Sequence, residues 1–153
     1  MPIVSAGLLV HRRGAAGPEV LLVHPGGPFW RGRDTAAWSI PKGLAAPGEA
    51  PLAAALREFG EETGLEPPAP GPPLPPTRAG GKLIHCWMAE ADLDLTAFRS
   101  ETFDLEWPPR SGRRIACPEV DAIGYFGKPE AMQRIHAGQR PILEAAFARL
   151  GRG

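Results

Sequence analysis

Two rhythms of apolar residues run along the chain. Ile3 to Val10 is an apolar run broken only by small residues, and it predicts a strand. Arg12-Arg13-Gly14-Ala15-Ala16-Gly17-Pro18 has turn composition, and Glu19 to His24 is a second apolar run, so the two runs predict a hairpin. Residues 25–37 carry charges, glycines and the aromatics Phe29 and Trp30, which predicts a loop; Trp38-Ser39-Ile40 is a candidate short strand stopped by Pro41. From Pro51 to Thr63 the period changes. Leu52, Ala55, Leu56 and Phe59 recur at helical spacing, Pro51 suits the first turn, and Gly64 suits the left-handed position after the last.

Beyond that helix, residues 66–77 are too rich in proline for a helix or an inner strand and predict a stiff extended loop. Lys82 to Glu90 predicts a strand, Leu93 to Phe98 a connection, Phe103 to Trp107 a strand and residues 108–114 a basic loop. Val120 to Phe126 predicts another strand, and Pro129 to His136 and Pro141 to Leu150 two helices. Strands on both sides of a central helix, with helices at the end, argue for an α/β architecture with a mixed sheet covered on both faces.

Composition narrows the functions open to the chain. Its 153 residues suit one domain, 1–153, and Lys plus Arg equals Asp plus Glu at 17 each. Such a balance gives no reason to expect general nucleic-acid or membrane binding, and no apolar run is long enough to span a bilayer. The opening Met1-Pro2-Ile3-Val4-Ser5 has no basic segment followed by a long apolar one, so no export signal is read and a cytoplasmic location is expected. Cys86 and Cys117 are then expected to stay reduced, and two lone cysteines make no zinc site.

The candidate chemistry lies in the central helix. Glu58, Glu61 and Glu62 stand at i, i+3 and i+4, so three carboxylates share one face. Like charges so placed repel one another unless a positive group sits among them. They have a bland reading, a solvated helix face, and a chemical one, a site for a hard divalent cation such as magnesium or manganese. Their spacing decides between these. Gly43, five residues, Glu49, seven residues, Arg57-Glu58-Phe59-Gly60-Glu61-Glu62-Thr63-Gly64-Leu65 meets every position of the pattern G-x5-E-x7-R-E-U-x-E-E-x-G-U, with U apolar.

This segment resembles the Nudix box, and the strand and helix order around it resembles the Nudix fold over most of the chain. The resemblance implies an α/β/α sandwich with a central mixed β-sheet, and hydrolysis of a nucleoside diphosphate linked to a further group. It implies Mg2+ or Mn2+ held by Glu58, Glu61 and Glu62, with the Lys42 carbonyl as a neutral ligand, and Glu49 paired with Arg57 to hold loop against helix. The general base differs among family subgroups; Glu119, in Cys117-Pro118-Glu119-Val120, is the best candidate outside the box, ahead of Glu90 and Glu106.

Substrate contacts are less marked. The segment Trp38-Ser39-Ile40-Pro41-Lys42-Gly43 is similar to the one preceding the box in hydrolases of diadenosine tetraphosphate and of diphosphoinositol phosphates. Lys42 suits a phosphate and Trp38 or Phe29 a base, although Trp38 also has the ordinary reading of a core tryptophan. Arg110, Arg113 and Arg114 beside Trp107 offer guanidinium forks for phosphate, or simply a solvated basic loop. The expected partner is a nucleotide or other diphosphate-containing small molecule, with a homodimer left open. Diadenosine polyphosphate hydrolysis, and a Nudix-fold module that binds nucleotide without cutting it, stand as alternatives.

Overall fold

The computed structural model describes residues 3–151; Met1 and Pro2, part of the stretch read for an export signal, lie outside the described residues, as do Arg152 and Gly153. The strands are β1 (Ile3–Gly14), β2 (Gly17–Pro25), β3 (Lys42–Leu44), β4 (Thr77–Ala79), β5 (Lys82–Glu90), β6 (Thr102–Glu106), β7 (Arg114–Pro118) and β8 (Val120–Gly127). The helices are α1 (Pro51–Thr63), α2 (Lys128–Arg134) and α3 (Arg140–Leu150). Six strands form one sheet in the order β4-β5-β1-β2-β8, with β3 paired to β1. Strands β1 and β5 run parallel and the other pairs antiparallel, so the sheet is mixed. A two-stranded ribbon, β6 with β7, stands apart from it.

Residue parity in β1 and β2 explains the layers. Leu8, Val10 and Leu21 point to one face, where they bury Ala54, Ala55 and Phe59 of α1. Leu9, Val20 and Leu22 point to the other, where they pack against Ile142, Leu143, Ala146 and Phe147 of α3. A strand covered on both sides loses its polar alternation, which is why Ile3–Val10 reads as one continuous apolar run. The result is the expected α/β/α sandwich. No helix among the described residues is long and apolar enough to cross a membrane. Cys86 and Cys117 are both buried free thiols, and burial pushes the Cys86 thiol up to about 12.

Two short elements depart from the sequence expectation. Trp38-Ser39-Ile40 forms isolated bridges rather than a strand. Each residue there bonds a different neighbour: Trp38 N–H donates to the Arg134 carbonyl at 2.8 Å, Ser39 N–H to Val23 at 2.9 Å and Ile40 N–H to the Gln139 side chain at 3.0 Å. Conversely, β7 completes a ribbon just after the basic loop, where no strand is read. Only Cys117 of its five residues is buried, so it carries no apolar alternation to detect.

Helix α1 has the predicted bounds and end. Pro51 opens it, and Gly64 closes it at φ 69°, its N–H donating to the Gly60 carbonyl at 2.8 Å. The buried Thr63 hydroxyl donates to the Phe59 carbonyl at 2.6 Å and accepts from Leu65 N–H at 3.1 Å, so the chain leaves the helix along a fixed path. Here glycine is required twice over. Its φ suits no side chain, and a Cβ would overlap the Arg99 carbonyl that passes behind it. Gly48, in the turn before the helix, also has a positive φ, 77°, but nothing lies within 4 Å of its Cβ position. Replacing Gly48 with alanine is therefore expected to cost about 1 kcal/mol, the backbone strain alone, and Gly64→Ala distinctly more. Chemical denaturation of the two variants checks this; equal losses would mean that the Arg99 segment yields freely.

Candidate active site

The loop from Pro41 to Ala50 lies across the outer face of α1, and one side chain fastens it there. Arg57 donates from Nε to Glu49 Oε2 and from Nη2 to Glu49 Oε1, both at 2.9 Å, a two-point fork on a single carboxylate. Nη2 also reaches the Leu44 carbonyl at 3.1 Å, while Nη1 donates to Glu58 Oε1 at 3.0 Å and to Glu61 Oε2 at 3.0 Å. Glu49 in turn accepts from Ala46 N–H at 2.8 Å. The Arg57 fork, helped by that backbone bond, draws the Glu49 carboxyl down to about 2.

The remaining carboxylate oxygens face the loop. Glu62 accepts a long bond from Lys42 N–H, 3.3 Å, and is otherwise without a donor among the described residues. Burial pushes its carboxyl up to about 8, and the nearby charges of Glu58 and Glu119 push in the same direction against the weaker pull of Lys42. Glu58 is raised as well, by its own burial first, with Arg57 opposing and Glu61 and Glu119 adding to the rise. Gly43 makes room for this arrangement: a Cβ there would occupy the space of the Glu58 carboxyl. The loop strand is held at that depth by Ser5, whose hydroxyl donates to the Gly43 carbonyl at 3.0 Å.

Glu119 arrives from far along the sequence. It sits in the turn between β7 and β8, where its N–H donates to the Glu101 carbonyl at 2.8 Å and its carbonyl accepts from Gly26 N–H at 3.0 Å. Glu101 N–H in turn donates to the Glu61 carbonyl at 3.2 Å, which ties this turn to the end of α1. Glu58, Glu62 and Glu119 are thereby within electrostatic reach of one another, whereas Glu61 turns its carboxylate to Arg57. Glu106 has a structural task instead, accepting from Arg110 and Gly112 N–H in the ribbon turn.

Beyond Lys42 a cavity of about 370 Å3 opens, lined among others by Trp30, Ser39, Lys42, Lys82, Ile84 and His136. Lys42 is thus the bridge between acidic box and cavity. Burial and the neighbouring Lys82 lower its ammonium, against a smaller upward pull from Glu62 and Glu58. His136 Nδ1 accepts from Gly138 N–H at 3.1 Å, which leaves Nε2 as the donor of the neutral ring.

Two substrate expectations need correction. Trp38 is a core residue, 6% exposed, wedged between His24 and Phe126 with ring separations of 5.3 and 5.1 Å, and it does not line the cavity. Arg110, Arg113 and Arg114 sit at the turn end of the β6–β7 ribbon, while the other end, at Glu101 and Glu119, meets the box. Five strand residues separate the ends, roughly 17 Å at the rise of an extended chain. The arginines do not join Lys42 in the cavity lining. Trp107 at that turn end meets one edge of the Phe29 ring, 5.1 Å away, and Phe29 stays exposed without lining the cavity. Lys82, Trp30 and His136 were not singled out as site residues from sequence; each lies on a different element, and no spacing relates them to the box.

The donor set can be tested against a divalent cation. Glu58 and Glu62 are hard oxygen donors whose mutual repulsion a dication relieves. Among the described residues no group of three or more acidic, histidine or cysteine side chains is placed to hold a metal ion by itself. The fit is therefore to an ion such as magnesium, which takes one or two carboxylates and fills its shell with water and phosphate oxygens.

Two predictions follow from these bonds. In metal-free protein the raised Glu62 carboxyl favours the folded state while protonated. That contribution is full below its ordinary value of 4.5, declines as pH rises, and is lost above about 8. Melting temperature without metal is expected to fall between pH 5 and pH 9, and Glu62→Gln to flatten the slope; parallel slopes would place the titration elsewhere. Arg57→Lys keeps the charge but not the fork, and is expected to lower turnover by at least about tenfold while the fold persists. Full turnover in that variant would remove the loop-fastening role.

The NUDIX domain family model matches residues 1–146. Among solved structures the chain is similar to an Ap4A hydrolase from C. elegans, at 22% identity over 99% of each chain with a TM-score of 0.65. It is also similar to the NUDIX domain of Shewanella oneidensis NrtR complexed with ADP ribose, at 18% identity over 98% of this chain and 89% of that one, TM-score 0.61. A mutT/nudix family protein from Listeria innocua aligns at 18% identity over 99% and 96%, TM-score 0.62. At these identities the likeness is one of fold. No curated protein matches the sequence. With the family model spanning all but the last residues and every position of the box filled, the chain belongs to the Nudix hydrolase family.

Proposed function

We propose that the protein is a magnesium- or manganese-dependent nucleotide pyrophosphohydrolase, in which water attacks phosphorus in line with the departing phosphate. The observation that carries this reading is that Glu58 and Glu62, with Glu119 within electrostatic reach, lie beside Lys42, which also lines a cavity. A divalent cation bound to Glu58 and Glu62 supplies neutralisation of the charge that builds on the phosphoryl oxygens.

The chain's own residues divide the remaining work. Arg57 keeps Glu58 and Glu61 facing the loop and, through Glu49, keeps the loop against the helix. Gly43 lets the Glu58 carboxylate stand directly under the backbone of that loop. Lys42 brings positive charge to the edge of the box, where the glutamates alone would repel an anionic substrate. Glu119 is the carboxylate left to accept the proton of the attacking water, because Glu61 and one oxygen of Glu58 are committed to Arg57. The box alone gives a binding module no use for this arrangement, since carboxylates crowded together repel a phosphate ligand.

Incubation of a panel of nucleotides with magnesium, with chromatography of the products, tests the assignment. A nucleoside monophosphate is expected to appear, and chelation to stop its release. Glu119→Gln is expected to lower kcat by about a hundredfold or more with metal affinity unchanged. Glu62→Gln is expected to weaken metal binding itself. Nucleotide binding without product, whatever the cation, would overturn the hydrolytic assignment.

A further inference from the structure

The proline-rich segment between α1 and β4 contributes no residue to the cavity wall. Its centre, Pro70-Gly71-Pro72-Pro73-Leu74-Pro75-Pro76, has φ fixed at five prolines and extended backbone imposed on each residue before a proline. Together these confine it to a polyproline II form, which repeats every three residues and makes no internal hydrogen bonds.

This centre has only two N–H donors, at Gly71 and Leu74, one repeat apart. Both are spent on the edge of β5: Gly71 N–H donates to the Met88 carbonyl at 2.6 Å and Leu74 N–H to the Cys86 carbonyl at 2.8 Å. The Leu74 side chain is buried, and a Cβ at Gly71 would lie 2.8 Å from the Met88 carbonyl oxygen. One line of the repeat therefore faces the sheet. Pro72, Pro73, Pro75 and Pro76, on the other two lines, are all exposed. Met88 N–H donates to the Pro72 carbonyl at 3.0 Å and Arg149 of α3 to the Pro73 carbonyl at 3.1 Å, so the ridge is fixed from both sides. Two residues past the last proline, Arg78 of β4 is exposed and enters no ion pair among the described residues.

Closing the edge of β5 needs only a backbone without outward donors. It calls neither for two proline pairs one repeat apart nor for a free guanidinium after them. Those features match recognition by an aromatic-lined groove, which packs against proline rings spaced as P-x-x-P. A ridge already held in the bound form loses little entropy on docking. Carboxylates on the groove's rim would complement Arg78.

We propose that the ridge Pro72-Pro73-Leu74-Pro75-Pro76, with Arg78, is a docking surface for a partner protein domain that has an aromatic-lined groove and an acidic rim. The proline pairs fill the groove, Arg78 meets the rim, and Leu74 stays packed in this chain.

The test uses the full chain and, as probe, a purified SH3 domain with carboxylates beside its aromatic groove, with binding read by calorimetry and by NMR of the labelled probe. Saturable one-to-one binding is expected, with shifts confined to the groove. Pro73→Ala combined with Pro76→Ala is expected to weaken it by about tenfold or more, and Arg78→Glu by a similar factor. Arg31→Glu, the same charge change at an exposed arginine of the 25–37 loop, is expected to change affinity by less than about twofold. Lysines in place of the probe's rim carboxylates are expected to restore binding to the Arg78→Glu variant, and circular dichroism confirms that each variant is folded. No saturable binding, binding indifferent to the prolines, or equal loss with Arg31→Glu would each overturn the docking surface. Sedimentation of the chain alone is measured as well; a dimer dissolved by the double proline change would mean that a second copy covers the ridge, and would overturn it too.

Discussion

A single guanidinium governs how the acidic box is built. Arg57 spreads its donors over Glu49, Glu58, Glu61 and the Leu44 carbonyl, so loop and helix are joined at a point where carboxylates alone would push them apart. The i, i+3, i+4 glutamates are unfavourable as an isolated helix face. Arg57 satisfies the outer members and leaves the inner one, Glu62, with a single long bond from Lys42. The network therefore does not cancel the negative charge. It sorts it, making Glu49 strongly acidic at about 2 and leaving Glu62 at about 8. Two carboxyls of one motif are thus set far apart: Glu49 fixes structure, and Glu62 suits the counter-ion proposed for it.

This sorting depends on close backbone approach, which in turn depends on the sandwich. Helix α1 presses Ala54, Ala55 and Phe59 into the sheet, and small residues at 54 and 55 let its axis come near. The polar side of the helix is then turned toward the β3 loop, which β1 holds by pairing Ser5 with Leu44 and Gly7 with Lys42. Gly43 stands between these pairs, under the Glu58 carboxyl. Burying Phe59 fully is worth about 1.5–3 kcal/mol, enough to offset several weak repulsions on the opposite face. Stability of the helix is thus supplied on one side, and electrostatic strain is tolerated on the other.

The parts legible in the sequence are those with a local signal. Helix α1 could be bounded to the residue because Pro51, the apolar spacing and Gly64 all act within it. Strand β5 was equally clear, and the box spacing fixed the pairing partner of Arg57. What could not be read is what the fold assembles from distant pieces. The cavity joins Trp30, Lys42, Lys82 and His136 from four separate elements, none of which has a periodic relation to another. Trp38 and the arginines at 110–114 failed for a common reason. Residue type suggests what a side chain is able to touch, but its place in the sheet decides what is there. For Trp38 that is His24 and Phe126; for the arginines it is the far end of a ribbon.

The same ribbon has a use that its arginines obscured. Its base places Glu119 beside the box through a relay of backbone bonds, from Glu61 to Glu101 and from Glu101 to Glu119, and Gly26 closes the other side on the Glu119 carbonyl. A Cβ at Gly26 would strike the Pro118 carbonyl, so β2 and the ribbon approach as closely as backbone allows. Backbone bonds of this kind position a carboxylate without consuming its oxygens. The general-base role proposed for Glu119 would use that freedom. Arg57 restrains its carboxylates by bonding to them, whereas the ribbon restrains Glu119 by holding only its main chain. The contrast separates acids held by their carboxylates from one held by its main chain alone.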